Sequence, residues 1–86
     1  MGRKVAVRMK IMPETAEVDI ERVKKELEGM EFELKDIKVV PIAFGLKALE
    51  AVFLLPDEGG VSEKLEERLR NIDGVGEVET LSVTLL

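Results

Sequence analysis

Alternating apolar and polar side chains dominate the first part of the chain, from residue 3 to residue 12. The apolar positions of this alternation are Val5, Val7, Met9 and Ile11. A period of two predicts a β-strand with one buried face. Pro13 has no backbone N–H to donate to a sheet, so it is predicted to end the strand.

Two later stretches carry the helical period instead. Val23, Leu27 and Met30 form one apolar stripe, with Asp19 placed to cap the helix and Gly29 placed to end it. A second stripe repeats this spacing after 42 residues, and Ser62 is the predicted cap of that helix. The second stripe comprises Leu65, Leu69 and Ile72. The chain therefore has a weak internal repeat, each half holding one helix between two strands.

Three more strands are predicted. In residues 31–40 the apolar parity changes near Lys35-Asp36, which predicts a β-bulge there. Residues 45–55 are apolar on both parities, as is typical of a central strand. Residues 77–86 form the last strand, after a turn at Asp73-Gly74. The side chains expected to face inward from that strand are Leu81, Val83 and Leu85.

The resulting element order is βαββαβ, which predicts an α+β, ferredoxin-like fold. Right-handed crossovers place both helices on one face of a four-stranded antiparallel sheet with strand order 4-1-3-2. The chain has only 86 residues. We therefore expect a single domain over residues 1–86, with one thin core and no deep active site.

Composition excludes several classes of function. The chain has no cysteine and no histidine, so thiolate metal sites and a Ser-His-Asp arrangement are excluded. Its net charge of −5 disfavours binding to nucleic acid, and the central strands lack the aromatic side chains that RNA-recognition domains use. The loop Asp57–Gly60 and the many carboxylates indicate solvated surface. We expect no metal and no cofactor.

The chain also lacks signals that would place it at a membrane. No apolar run approaches a membrane span, and no apolar region follows Arg3 and Lys4 as in a signal peptide. The absence of cysteine suits a reducing compartment. A cytoplasmic protein without membrane contact is therefore expected.

The turn at residues 41–47 carries the clearest functional signal. Pro41 stiffens the backbone, Gly45 permits a tight turn, and the aromatic Phe44 lies between them. Two interpretations remain open. Ile42 and Phe44 could cap the end of the core, which the residue types alone slightly favour. Alternatively, a stiff loop presents Phe44 as an anchor for a partner protein.

The segment Pro41-Ile42-Ala43-Phe44-Gly45-Leu46-Lys47-Ala48-Leu49 resembles the Pro-Ile/Val-Gly/Ala-Phe/Tyr-Gly-Ile/Leu-Lys-x-Leu segment of the translation elongation factor 1-beta family. The start, Met1-Gly2 and later Lys10–Glu14, also resembles the archaeal members, as do Gly59-Gly60 and Asp73–Val75. This resemblance covers the whole chain.

The resemblance implies a ferredoxin-like guanine-nucleotide exchange factor for elongation factor 1-alpha, the GTPase that carries aminoacyl-tRNA. Such a factor makes and breaks no covalent bond, so no enzyme activity is expected. Phe44 matches the aromatic that enters an apolar pocket of the GTPase. Pro41, Ile42, Ala43 and Gly45 match the loop around it, and Lys47 matches a lysine that follows. The free protein is expected to be a monomer.

One position departs from the family pattern. Eukaryotic members carry a lysine near the C-terminus that reaches the magnesium site of the GTPase, whereas Leu85 followed by Leu86 stands here. We expect Leu85 and Leu86 to contact the partner, but a lysine mechanism cannot operate through them. The Phe44 loop is then expected to carry most of the effect.

A regulatory module that binds a small molecule on the same fold is the alternative function. Such domains use loops and have no fixed sequence signature, so composition does not exclude one. It has no need, however, for the Gly45–Leu49 run after an aromatic turn.

Overall fold

A computed structural model of the chain describes residues 3–86. Met1 and Gly2, which contribute to the resemblance above, lie outside the described residues. The elements are β1 (Lys4–Pro13), α1 (Ile20–Glu28), β2 (Glu33–Pro41), β3 (Lys47–Pro56), α2 (Val61–Arg70) and β4 (Val75–Leu85). One turn of 3-10 helix, Ala43–Gly45, joins β2 to β3.

The four strands form one antiparallel sheet in the order β2-β3-β1-β4. This is the predicted order 4-1-3-2 read from the other edge, so the ferredoxin-like fold is confirmed. The sequence pattern of β3, apolar on both parities, predicted a central strand, and β3 does lie between β2 and β1.

The core lies between the two helices and one face of the sheet. The two central strands, β1 and β3, contribute every second side chain to it, and the paired residues Val7 and Phe53 lie at its centre with no more than 1% exposure. The apolar stripes of the helices cover this face. The largest fully buried side chains are Phe53, Met9, Ile11, Leu27, Leu49, Leu55, Leu65, Leu69, Val7 and Val23.

Helix α1 is capped as the sequence predicts. The carboxylate of Asp19 accepts hydrogen bonds from the backbone N–H groups of Glu21 (3.1 Å) and Arg22 (3.4 Å). Gly29 is the C-terminal cap residue. The Asp19 carboxylate thereby gives the Glu21 N–H its acceptor and the Arg22 N–H a second one, beside the Asp19 carbonyl oxygen at 3.1 Å.

We expect Asp19→Ala to lower the free energy of unfolding by about 1 kcal/mol, because it removes the side-chain acceptor at this cap. Urea unfolding followed by circular dichroism measures the change. Asp19→Asn keeps an acceptor oxygen and is the matched control. Equal losses in the two variants would show that the cap contributes nothing.

The predicted cap of α2 is wrong. The helix begins at Val61, one residue before Ser62, and its N-cap is Gly60 in a left-handed conformation with φ of 86°. No side chain caps this end. The hydroxyl of Ser62 donates instead to the carboxylate of Glu63. Glycine at the cap position allows the chain to enter the helix from a backbone conformation that serine adopts at a cost.

The predicted bulge in β2 is confirmed, since the pairing with β3 shifts register between Leu34 and Asp36. The inward-facing set predicted for β4 is wrong. Val75 and Val78 are the buried residues of this strand, whereas Leu81, Val83 and Leu85 are exposed. Val83 pairs with Val7, so it faces the helix side of the sheet, but neither helix covers this part of the outer strand.

Ion pairs cover the sheet face that the helices leave open. Lys4 Nζ lies 2.8 Å from Glu33 Oε1. Glu50 Oε1 lies 2.8 Å from Arg8 Nη1 and 3.9 Å from Lys38 Nζ. Such exposed pairs contribute little to stability individually. They do place charged groups on this face, which makes it compatible with water.

A further ion pair ties the second helix to the α1–β2 connection. Arg68 of α2 donates a hydrogen bond to the carboxylate of Glu31. The pKa of Glu31 lies below its ordinary value, first because its own backbone N–H donates to the carboxylate and then because of the charge of Arg68.

Candidate functional site

The β2–β3 loop is closed by backbone hydrogen bonds at its base. The Ile42 N–H donates to the Leu46 carbonyl oxygen at 2.8 Å, and the Leu46 N–H donates to the Ala43 carbonyl oxygen at 3.3 Å. Pro41 and Lys47 form the last pair of the strand ladder just below it. These bonds confine the loop to a single 3-10 turn whose centre is Phe44.

Phe44 projects away from the protein. Its side chain is 97% exposed, and its backbone is left-handed, with φ of 63° and ψ of 30°. It is the single non-glycine residue with positive φ in residues 3–86. Gly45, with φ of 74°, continues the left-handed path without steric cost. The interpretation that Phe44 caps the core is therefore wrong.

The conformation of Phe44 is costly for a bulky side chain. A residue held in the left-handed region stores about 1–3 kcal/mol of strain. An exposed phenylalanine gains no burial energy in the free protein that would offset it. Strain of this kind clusters at sites where a protein contacts a ligand or partner. The loop therefore has the properties of a preorganised docking element.

The same end of the molecule is acidic. The β1–α1 loop lies beside the β2–β3 loop and exposes Glu14, Glu17 and Asp19. A shallow groove of about 280 Å³ separates the two loops. Its lining comprises Pro13, Thr15, Ala16, Val18, Asp19, Ile20, Glu21, Gly45 and Lys47. Lys47 is the basic residue of that lining, whereas Asp19 and Glu21 are acidic. Because acidic side chains outnumber basic ones here, a basic surface is the natural complement of this end.

The structure brings together the predicted residues of the loop, namely Pro41, Ile42, Ala43, Phe44, Gly45 and Lys47. It does not bring Leu85 and Leu86 to them. The Leu86 N–H donates to the Lys4 carbonyl oxygen at 3.0 Å, and Lys4 pairs with Pro56 at the far end of β3. The two groups are thus separated by the length of β3, about 30 Å at 3.3 Å per residue.

Other chemistry finds little support in residues 3–86. No group of three or more acidic side chains there is arranged to hold a metal ion, and no polar or charged side chain is buried. None of the helices in this range is long and apolar enough to cross a membrane. The exposed aromatic loop is thus the most distinctive surface feature of the described part.

Comparison with protein families decides the family. The model of the EF-1 guanine nucleotide exchange domain matches residues 6–86 of the chain. The chain belongs to this exchange-domain family. The resemblance seen in the Pro41–Leu49 segment is therefore confirmed, and so is the role in guanine-nucleotide exchange during translation elongation that it implied.

Curated relatives of this exchange domain match along almost their whole length. Elongation factor 1-beta of Methanoregula boonei is 41% identical over 85 residues, which is 99% of each chain. Elongation factor 1-beta of Methanothermobacter thermautotrophicus is 43% identical over 91 residues, covering 100% of this chain and 99% of its own. The archaeal character expected from the resemblance is consistent with both.

Solved structures show the same fold in a distant protein. The ACT domain from GTP pyrophosphokinase of Chlorobium tepidum superposes with a TM-score of 0.73 at 16% sequence identity. The match covers 92% of this chain and 88% of that domain. At this identity the likeness establishes the fold of the exchange domain and carries no information about its function.

Periodicity did not reveal the left-handed conformation of Phe44. The one signal available was the aromatic residue directly before Gly45 in a loop that starts with Pro41. Glycine marks a turn, but it does not show that its neighbour shares the left-handed backbone. The exposure of Phe44 follows from that conformation and from the loop's position beyond the sheet.

Proposed function

We propose that this exchange domain speeds GDP release from elongation factor 1-alpha by inserting Phe44 into an apolar pocket of that GTPase. The observation that carries the proposal is the 97% exposure of Phe44 in a left-handed turn, within the segment that resembles the family. Aromatic anchors of this kind dominate the binding energy of small interfaces.

The closed loop supports this role on energetic grounds. Its hydrogen bonds fix the backbone before binding, so little conformational entropy is lost when Phe44 docks. The acidic side chains around it favour approach to a basic surface. Lys47 and the neighbouring loop residues shape the contact in this proposal.

Exchange needs no chemistry from the factor itself. The chain has to bind the nucleotide-free GTPase more tightly than the GDP-bound form, and this difference in affinity alone lowers the affinity for GDP. We therefore propose a non-enzymatic factor that acts in the cytoplasm without a cofactor. The lack of buried polar groups in residues 3–86 supports this over a small-molecule regulatory module, since ligand pockets use convergent polar groups.

The proposal is tested by release of fluorescent GDP from elongation factor 1-alpha in an excess of unlabelled nucleotide. We expect the release rate to rise with the concentration of the chain, and substoichiometric amounts to suffice. An acidic protein of similar size serves as the control for nonspecific charge effects. A release rate that stays at its spontaneous value at high concentration of the chain would refute the proposal.

A further inference from the structure

The open face of the sheet, which the helices leave uncovered, carries a small apolar cluster at the end where the β2–β3 loop lies. Val40 of β2 pairs with Ala48 of β3. Ile11 of β1 pairs with Leu49, so the next residue, Met12, lies beside Ala48. Ile11 and Leu49 are fully buried in the core, and successive side chains of a strand point to opposite faces. Met12, Val40 and Ala48 therefore lie side by side on the open face and are named the open-face cluster.

Burial indicates that these three side chains pack together. Ala48 is 0% exposed, yet it is not part of the core between the sheet and the helices. Because it faces the open side, its cover comes from the side chains of that face. Met12 and Val40 flank it and are only partly buried. Each keeps some apolar surface in contact with water, and covering that surface is favourable.

The open-face cluster is continuous with the β2–β3 loop. Val40 directly precedes the pair of Pro41 and Lys47 that ends the strand ladder. Two residues, or roughly 7 Å along the strand, separate Val40 from Ile42 at the base of the loop. A partner surface that receives Phe44 can therefore extend onto the cluster without a gap.

The opposite, helix-facing side of the loop is less suited to the core of an interface. There the β1–α1 loop exposes the carboxylates of Glu14 and Glu17. Charged groups are depleted at the core of interfaces, because removing their water is costly. An aromatic anchor such as Phe44 binds tightly when the contacts around it exclude water. The open-face cluster provides contacts of that kind.

The charges around the open-face cluster indicate the chemistry of the surface that fits it. The neighbouring row of residues across the four strands alternates in sign, so its charges compensate one another. This row comprises Lys38, Glu50, Lys10 and Glu79. Glu77 of β4 pairs with Met12, is exposed, and takes part in none of the ion pairs of residues 3–86. The complementary surface is thus apolar at its centre, with a basic side chain at the Glu77 edge.

We propose that elongation factor 1-alpha, while it holds Phe44, lies against the open face and covers the open-face cluster with apolar side chains, with a basic side chain next to Glu77. The inference rests on the proposed function and adds the side of the sheet on which the GTPase lies. The cluster fixes the orientation of the GTPase about Phe44, whereas a single inserted side chain would leave it free to rotate. Both helices remain in contact with water in this complex.

Release of fluorescent GDP from elongation factor 1-alpha, measured over a range of concentrations of the chain, tests the proposal. We expect Met12→Gln to raise the half-saturating concentration roughly fivefold, because it removes apolar surface that is buried only in the complex. Val40→Thr keeps the branched shape that strands favour and should change it in the same direction. Met30→Gln makes the matched change at a partly buried methionine on the helix side of the sheet and should leave the half-saturating concentration unchanged. Urea unfolding establishes that each variant is folded at the assay temperature.

The edge of the proposed contact has its own variant. Glu77→Gln should make GDP release less sensitive to salt, because a charge at the rim of an interface acts mainly on the association rate. Glu67→Gln removes the same charge from an exposed position of α2 and should not change the salt dependence.

The outcomes separate this inference from the proposed function. A wild-type chain that leaves GDP release at its spontaneous value would overturn both. An active wild type that Met12→Gln and Val40→Thr match in half-saturating concentration would overturn the open-face contact and leave the role of Phe44 intact. A higher half-saturating concentration for Met30→Gln alone would place the GTPase on the helix side instead.

Discussion

Replacing Phe44 with alanine is expected to weaken binding to elongation factor 1-alpha by at least about 2 kcal/mol, or roughly 30-fold. The acceleration of GDP release should fall accordingly at subsaturating concentrations. The free energy of unfolding should stay the same, because a side chain that is 97% exposed contributes no burial to the folded state. Binding is measured by titration of the two proteins, and stability by urea unfolding.

Two further variants make the Phe44 result specific. Phe44→Tyr keeps the aromatic ring, which the family segment tolerates, and should retain most of the activity. Phe32→Ala removes a half-buried aromatic that packs on the core before β2, at the far end of the sheet. It should lower stability and leave GDP release unchanged. A Phe44→Ala chain with full exchange activity would remove the loop from the mechanism.

Gly74→Ala is expected to lower the free energy of unfolding by about 2–4 kcal/mol, combining left-handed strain with overpacking. Gly74 has φ of +94°, and an added Cβ would lie 2.9 Å from both Arg22 Nη2 and Val18 Cγ1. Arg22 cannot move away without loss, because its Nη2 donates to the Asp73 carbonyl oxygen at 2.6 Å.

Two other glycines separate the contribution of left-handed strain from that of overpacking. Gly45 has φ of +74° with no atom within 4 Å of an added Cβ, so Gly45→Ala should show the conformational cost alone, about 1 kcal/mol. Gly59 has neither constraint, and Gly59→Ala should be close to neutral. Urea unfolding of the three variants measures how much free energy of unfolding each one loses. If Gly74→Ala costs no more than Gly45→Ala, the turn adapts and packing at Val18 is not limiting.

The strands show where local pattern was sufficient. In β1, Val7, Met9 and Ile11 are buried as predicted and Val5 is partly buried, because this central strand has a neighbour on each side and its inner face packs in the core. The same alternation in β4 gave a wrong inward set, because Val83 and Leu85 lie on an outer strand beyond the helices. Hydrophobic periodicity indicates which side chains lie on the same face of a strand, but not whether another element covers that face.

For the predicted partner-binding residues, too, local sequence predicted one part and the tertiary structure decided the other. The segment Pro41–Leu49 pointed to the family from residue types alone, and the family comparison confirmed it. Whether Phe44 packs or projects could not be predicted, because the answer depends on a left-handed backbone stabilised by the Ile42–Leu46 hydrogen bond. Leu85 and Leu86 were grouped with this loop, and their separation from it follows only from the antiparallel course of the strands.

The sequence by itself determined the element order, the central position of β3, the bulge in β2 and the family, since these depend on periods and motifs within short stretches. Only the tertiary structure decided that Phe44 stands free, that the predicted partner residues lie at opposite ends, and that the end of β4 is an uncovered edge. These outcomes depend on which distant segments pack together, and no short stretch contains that information.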